Sequence, residues 1–60
     1  MMMLDIIKVL RFAEENGLSI GTKEGIIITD KEGRLLFEND SKTECFKQAC
    51  AWIDKNRTKF

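Results

Sequence analysis

The chain has 60 residues, ten of them basic and ten acidic, which gives a formal net charge of zero. We expect residues 1–60 to form one small α+β domain, because this length leaves no room for a second hydrophobic core. A neutral, mixed surface disfavours nucleic acid and anionic membranes as partners, since both are bound largely through excess positive charge.

Residues 1–4 are apolar, but Asp5, Lys8 and Arg11 follow within seven positions. These charges interrupt the apolar stretch that a signal peptide requires, and the chain has no apolar run long enough to span a bilayer. The sequence therefore predicts a cytoplasmic protein with reduced thiols and no membrane contact.

The first helix is predicted over residues 2–15. Apolar residues recur along it at helical spacing, and Gly17 is placed to end it with a left-handed cap. The predicted stripe contains Met2, Ile6, Val9, Leu10 and Ala13, flanked by Met3, Ile7 and Phe12, while Leu4 falls on the polar side. Because the stripe is broad, we expect this helix to be deeply buried between a sheet and the second helix.

Residues 18–38 contain a repeat of eight residues that predicts two turns. Residues 22–25 and 30–33 each combine Thr or Asp with Lys-Glu-Gly, which is typical of a type I turn followed by a glycine at positive φ. Apolar, β-branched segments surround these turns. The repeat therefore predicts a three-stranded antiparallel meander.

The turn geometry also predicts a strand register, which sorts the side chains onto two faces. The expected pairs are Asp30 with Arg34, Ile28 with Leu36, Ile26 with Glu38, and Ile20 with Ile28. The helix-facing side is predicted to carry Leu18, Ile20, Ile26, Ile28 and Leu36. The other side is predicted to carry Ser19, Gly21, Ile27, Thr29, Leu35 and Phe37.

The second helix is predicted to start at Ser41, with Glu44 completing a capping box, and to run to about Asn56. Its expected buried face consists of Cys45, Phe46, Ala49, Cys50 and Ile53, with Trp52 at the edge of the stripe. The whole chain is thus predicted to be a two-layer α+β domain in the order helix, three-stranded antiparallel meander, helix (αβββα).

Catalysis is disfavoured, because the chain lacks histidine and tyrosine and its carboxylate pair, Asp30 and Glu32, belongs to an exposed turn. Cys45 and Cys50 are interpreted as small buried hydrophobes, with thiol chemistry as the alternative. Two cysteines without histidine also make a poor zinc site. We expect no enzyme activity, no metal and no cofactor.

Residues 25–39 resemble the opening hairpin of PAS sensor domains, which need a longer sheet than this chain offers. The order of elements resembles double-stranded RNA-binding domains and some small phage anti-CRISPR proteins. The RNA-binding resemblance implies a nucleic-acid-binding module, with Lys31, Arg34, Lys55, Arg57 and Lys59 as its basic residues. Such domains carry a lysine cluster at the start of the last helix, where this chain has Asp40, Lys42 and Glu44.

The interpretation that we favour is a non-catalytic protein–protein interaction module, acting as a homodimer or as an accessory or inhibitor protein. Ile27, Leu35 and Phe37 are expected to form an apolar patch on the sheet face away from the helices. Trp52 is the candidate anchor at the edge of the second helix.

Overall fold

The computed structural model describes residues 3–59. Its elements are α1 Met3–Asn16, β1 Ser19–Gly21, β2 Ile26–Thr29, β3 Leu35–Asn39, α2 Cys45–Asn56 and a final 3₁₀ turn, Arg57–Lys59. The strands form one antiparallel sheet in the order β1-β2-β3. α1 packs on β1, α2 packs on β2 and β3, and the helices pack on each other. The predicted αβββα architecture is confirmed.

α1 ends at Asn16 through backbone hydrogen bonds of the kind that define a Schellman motif. The Leu18 N–H donates to the Ala13 carbonyl at 2.8 Å, and the Gly17 N–H donates to the Glu14 carbonyl at 3.5 Å. Leu18 packs against the core directly after this turn. The cap therefore directs the chain from the end of α1 into β1.

The hairpin between β2 and β3 has the predicted turn. The Asp30 N–H donates to the Arg34 carbonyl at 3.0 Å, and Gly33 closes the loop with a φ of 82°. One carboxylate oxygen of Asp30 accepts the backbone N–H groups of Glu32 and Arg34 at 2.9 and 2.8 Å. The bond from Arg34 is the main reason why the pKa of the Asp30 carboxyl lies below its usual range.

The register of β2 against β3 differs from the prediction beyond this turn. A bulge between Ile28 and Thr29 leaves Leu36 as an extra residue, so Ile28 pairs with Phe37. Ile26 pairs with Asn39 and not with Glu38. The predicted pairing of Ile20 with Ile28 in the other hairpin is confirmed.

The loop between β1 and β2 passes very close to the end of β3. Gly25 has a φ of 106°, and a Cβ at this position would lie 2.1 Å from the Asn39 carbonyl oxygen and 2.7 Å from the Cα of Asp40. Only glycine has room for this approach without a shift of the backbone.

α2 begins at Cys45, four residues after the predicted start. The Glu44 N–H donates to Ser41 Oγ at 3.1 Å, which is one half of the predicted capping box. In a capping box the Ser41 N–H would donate to the Glu44 side chain. Here it donates to Asn39 Oδ1 at 2.9 Å. Glu44 itself has a φ of −112° and a ψ of −6°, so the turn at Ser41 does not continue into a regular helix.

The core lies between the sheet and the two helices. Its least exposed large side chains are Val9 of α1, Ile26 and Ile28 of β2, and Ile53 of α2. Ala49 lies at the contact between α2 and the rest of the core with no exposed surface. The predicted buried face of α2 is therefore confirmed, including both cysteines.

Candidate functional site

Four of the six exposed large hydrophobic side chains among residues 3–59 lie on the outer side of α1. Met3 is 75% exposed, Leu4 71%, Ile7 44% and Leu10 49%. Spacings of three and four residues place these side chains next to one another on the helix. We call the four residues the α1 surface.

The prediction that the broad apolar stripe of α1 is deeply buried between the sheet and the second helix is wrong for part of the stripe. Val9, Phe12 and Ala13 are buried and Ile6 is partly buried, whereas Leu10, Ile7 and Met3 of the predicted stripe are exposed. Met2 lies outside the described residues.

The position of α2 explains the difference. The Cys50 thiol donates to the Asp5 carbonyl at 3.5 Å, and Phe12 contacts Trp52 edge to face at 6.2 Å. α2 therefore approaches α1 from the side of Asp5 and Phe12. Within residues 3–59, neither the sheet nor α2 covers the opposite side, where the α1 surface lies.

Charges of both signs surround the α1 surface. Lys8 pairs with Asp54 of α2 at 2.8 Å, and Arg57 reaches the same carboxylate at 3.2 Å. The hydrogen bond from Lys8 is the main reason why the pKa of the Asp54 carboxyl lies below its usual range. The exposed residues Arg11 and Glu14 lie beside the apolar four on the helix, so the rim is mixed and close to neutral.

A groove beside the α1 surface extends it toward the end of α2. Leu4 and Ile7 line the groove from α1, Ile53 lines it from α2, and Arg57 lines it from the final 3₁₀ turn. Ile53 itself has no exposed surface, and the polar residues Lys8, Arg11, Glu15 and Asn16 also line the groove. The α1 surface is thus continuous with a concave region of mixed polarity.

The outer sheet face holds a smaller apolar patch than predicted. Ile27 is 43% exposed and Leu35 is 57% exposed. Ile27 pairs with Glu38, and Leu35 pairs with Thr29, so a polar side chain lies directly across from each. The structure leaves two large apolar side chains, Ile27 and Leu35, on this face in place of the predicted three.

Phe37 does not belong to that patch, which corrects the prediction. The bulge turns Phe37 toward the helices, where its ring lies 5.7 Å from the ring of Trp52. Trp52 contacts Phe12 as well, so it links α1, α2 and β3 at the rim of the core. The structure therefore brings Phe37 and Trp52 together with each other and separates them from Ile27 and Leu35.

Both cysteines are buried and free. Burial is the main reason why the pKa of the Cys50 thiol is raised, and the nearby Asp5 raises it further. A raised pKa keeps the sulfur protonated at neutral pH, which is the opposite of what a reactive thiol needs. The geometry gives no support to the thiol-based alternative.

The basic residues of the nucleic-acid alternative are partly engaged by acids. Arg34 pairs with Glu32 and lies 3.5 Å from an Asp30 oxygen, and Arg57 pairs with Asp54. Lys31 belongs to the hairpin turn, whereas Lys55 and Lys59 follow at the other end of the chain. Pairing of both arginines with acids lowers the net positive charge that a phosphate-binding surface needs.

Residues 3–59 contain no cluster of three or more potential metal-binding His, Cys, Asp or Glu side chains. In the same part of the chain, no helix has the length and apolar character needed to cross a membrane.

The α1 surface is the feature that the sequence reasoning missed. Two signals pointed to it: Leu4 lay on the polar side of the predicted helix, and the apolar stripe was broader than contact with a sheet requires. Both signals show that α1 carries apolar residues on more than one side, so that a single contact cannot bury all of them.

No known protein family matches this chain, and neither a curated protein nor a solved structure matches it.

Proposed function

We propose that the protein is a non-catalytic interaction module that binds a protein partner through the α1 surface. The single observation that supports this most is the exposure of four adjacent large apolar side chains on one helix. Contiguous apolar patches of this kind mark protein contacts on otherwise soluble domains. The two free, buried cysteines suit a thiol-reducing compartment, so we place the protein in the cytoplasm.

The size of the α1 surface is enough for binding of modest strength. Full burial of a leucine, isoleucine or methionine side chain contributes about 1.5–3 kcal/mol. At the observed exposures, covering each of the four would contribute on the order of 1–2 kcal/mol. A matching apolar surface on the partner doubles this gain, which is comparable with the roughly 4–15 kcal/mol that association costs. A net gain of roughly 5–6 kcal/mol, toward the favourable end of these ranges, corresponds to a dissociation constant on the order of 0.1 mM.

The outer sheet face is the weaker of the two apolar candidates. Ile27 and Leu35 are separated by polar neighbours, and β2 and β3 place Glu38 and Thr29 directly beside them. Isolated exposed aliphatic residues are normal on protein surfaces. The outer sheet face therefore serves as the control surface in tests of the α1 surface.

A binding experiment with matched variants tests the proposed function. Tagged wild type, Ile7→Glu and Leu35→Glu are used as baits in an extract of the cells that express the protein, with purified untagged chain added in parallel. Glutamate at position 7 lies four residues before Arg11, so the change preserves the helix while it charges the surface. Circular dichroism confirms that all three baits are folded.

We expect at least one protein to be retained by wild type and by Leu35→Glu but lost with Ile7→Glu. Equal retention of every bound protein by the three baits would contradict the proposal. So would the absence of any retained protein, including the untagged chain.

A further inference from the structure

We infer that the partner at the α1 surface is a second copy of this chain, with the two α1 helices packed antiparallel about a twofold axis. This inference rests on the proposed function and adds the identity and orientation of the partner.

The apolar residues of the α1 surface can cover one another in this arrangement. A twofold axis that passes between Ile7 and Leu10 places each Ile7 beside Leu10 of the partner copy. Leu4 then lies near the aliphatic stem of the partner copy's Arg11. A twofold interface uses the same patch on both copies, so one apolar surface is enough to supply both sides.

The acidic end of α1 supports the antiparallel orientation. Glu14 and Glu15 lie in the last turn of the helix, and both are exposed. The carbonyl end of a helix carries partial negative charge, so two acids there are unfavourable within one copy. In the antiparallel pair, Glu14 lies beside Met3 of the partner copy, where the N–H groups of the first turn carry partial positive charge. A parallel pair would place the four acids together.

The balance of charge also favours a second copy over a strongly charged partner. An interface between identical copies has to complement itself, and the rim of the α1 surface carries Arg11 beside Glu14. The whole chain has ten basic and ten acidic residues. A helix that binds anionic lipid would need an excess of lysine and arginine on its polar side.

Sedimentation equilibrium from about 10 μM to 1 mM tests the self-association, a range that brackets the dissociation constant on the order of 0.1 mM expected for an interface of this size. We expect wild type and Leu35→Glu to approach twice the chain mass of 6.9 kDa, and Ile7→Glu to stay at 6.9 kDa. Wild type that stays at 6.9 kDa throughout would overturn the inference, as would dimers of equal strength in all three proteins. Binding of monomeric wild type to phosphatidylglycerol vesicles, abolished by Ile7→Glu, would overturn it in favour of a lipid surface.

Disulfide cross-linking tests the orientation. In the antiparallel pair the two copies of residue 3 lie roughly 16 Å apart along the helices, since each residue adds about 1.5 Å. Two cysteines at that distance cannot be bridged. Met3→Cys alone should therefore stay uncross-linked on mild oxidation, whereas a mixture of Met3→Cys and Glu14→Cys should form mixed dimers. Rapid cross-linking of Met3→Cys alone would show parallel helices and overturn the antiparallel arrangement.

Neutralising Glu14 and Glu15 should stabilise the monomer but weaken the dimer. In the monomeric Ile7→Glu background, Glu14→Gln with Glu15→Gln should raise the thermal midpoint, because the unfavourable charge at the helix end is removed. In the wild-type background the same pair of changes should weaken dimerisation by roughly two- to fivefold, as expected when a helix-dipole contact is lost. Stronger dimerisation after neutralisation would overturn the assigned role of the acids.

These outcomes separate the two proposals. A monomeric wild type overturns the identity of the partner, while the proposed function fails separately if Ile7→Glu retains every protein that wild type retains.

Discussion

Alanine substitution at three glycines separates two physical effects that this fold imposes on its turns. Gly25 combines a φ of 106° with a carbonyl oxygen 2.1 Å from the site of a Cβ. Gly33 has a φ of 82°, but its Cβ would meet no described atom within 4 Å. Gly21 has neither feature and serves as the control.

The expected losses in the free energy of unfolding follow from these geometries. A positive φ costs a residue with a Cβ about 1–2 kcal/mol, so Gly33→Ala should lose roughly that amount. Gly25→Ala has the same cost and must also move the loop roughly 1 Å away from Asn39, which disrupts a strand hydrogen bond worth about 1 kcal/mol. The two costs add to a loss of about 2–3 kcal/mol in the free energy of unfolding. A domain of 60 residues has a free energy of unfolding of roughly 3–9 kcal/mol, so this variant should lose a large part of its stability.

Urea unfolding followed by the fluorescence of Trp52, the single tryptophan, measures the three variants. Thermal unfolding gives a second measure, since 1 kcal/mol shifts the midpoint of a domain of this size by about 4–8 °C. Gly21→Ala should stay within about 0.5 kcal/mol of wild type, as a surface substitution without a special backbone role. Equal losses for Gly25→Ala and Gly33→Ala would refute the close approach of the first turn to β3.

Three further predictions concern the core, the loss of stability at low pH, and the thiols. Ile53→Ala should lose about 2–5 kcal/mol of unfolding free energy in urea, because it leaves a cavity in the core. Ile27→Ala should lose much less, and similar losses would contradict the assignment of Ile53 to the core and Ile27 to the outer sheet face. Hydrogen bonds lower the pKa values of the Asp30 and Asp54 carboxyls below the usual 3.8, so the unfolded chain binds protons first as the pH falls. Their contribution to stability is therefore present above about pH 4 and lost below it. Asp30→Asn keeps a carbonyl acceptor without the charge, so it should reduce the difference between the free energies of unfolding at pH 6 and pH 3. An unchanged difference would count against a lowered pKa of the Asp30 carboxyl. Burial should make iodoacetamide alkylation of Cys50 at least about a hundredfold slower in the folded protein than in urea, and rapid labelling of the folded chain would contradict this.

The turns and the overall architecture could be predicted because the residues that specify them act locally. Asp30 and Gly33 form a hairpin loop through hydrogen bonds and a backbone angle within five residues of chain. Gly17 ends α1 in the same local way. Two such turns between β-branched segments, with a helix on either side, leave few arrangements other than αβββα.

The faces of β3 could not be predicted, because one bulge reverses the alternation of side chains. Ile28 pairs with Phe37, Leu36 is the extra residue of the bulge, and both Leu36 and Phe37 pack against the core. The bulge lets β3 direct two adjacent apolar residues toward the helices, which a regular strand cannot do. Phe37 therefore left the expected patch and joined Trp52.

The α1 surface could not be assigned because the sequence does not state from which side α2 approaches α1. Helical periodicity identifies apolar directions, but only tertiary contact decides which of them are buried. The contacts of α2 with Asp5 and Phe12 decide it here. Ile7 and Leu10, which looked like core residues, are left on the outside.

Amide chemical shifts recorded by NMR as a function of protein concentration test the α1 surface most directly. Between about 1 mM and 20 μM, which brackets the expected dissociation constant on the order of 0.1 mM, we predict shift changes along residues 3–14 and near the end of α2. Ile27 and Leu35 should stay unchanged over the same range. Changes confined to the outer sheet face, or spectra that do not vary with concentration, would contradict the account.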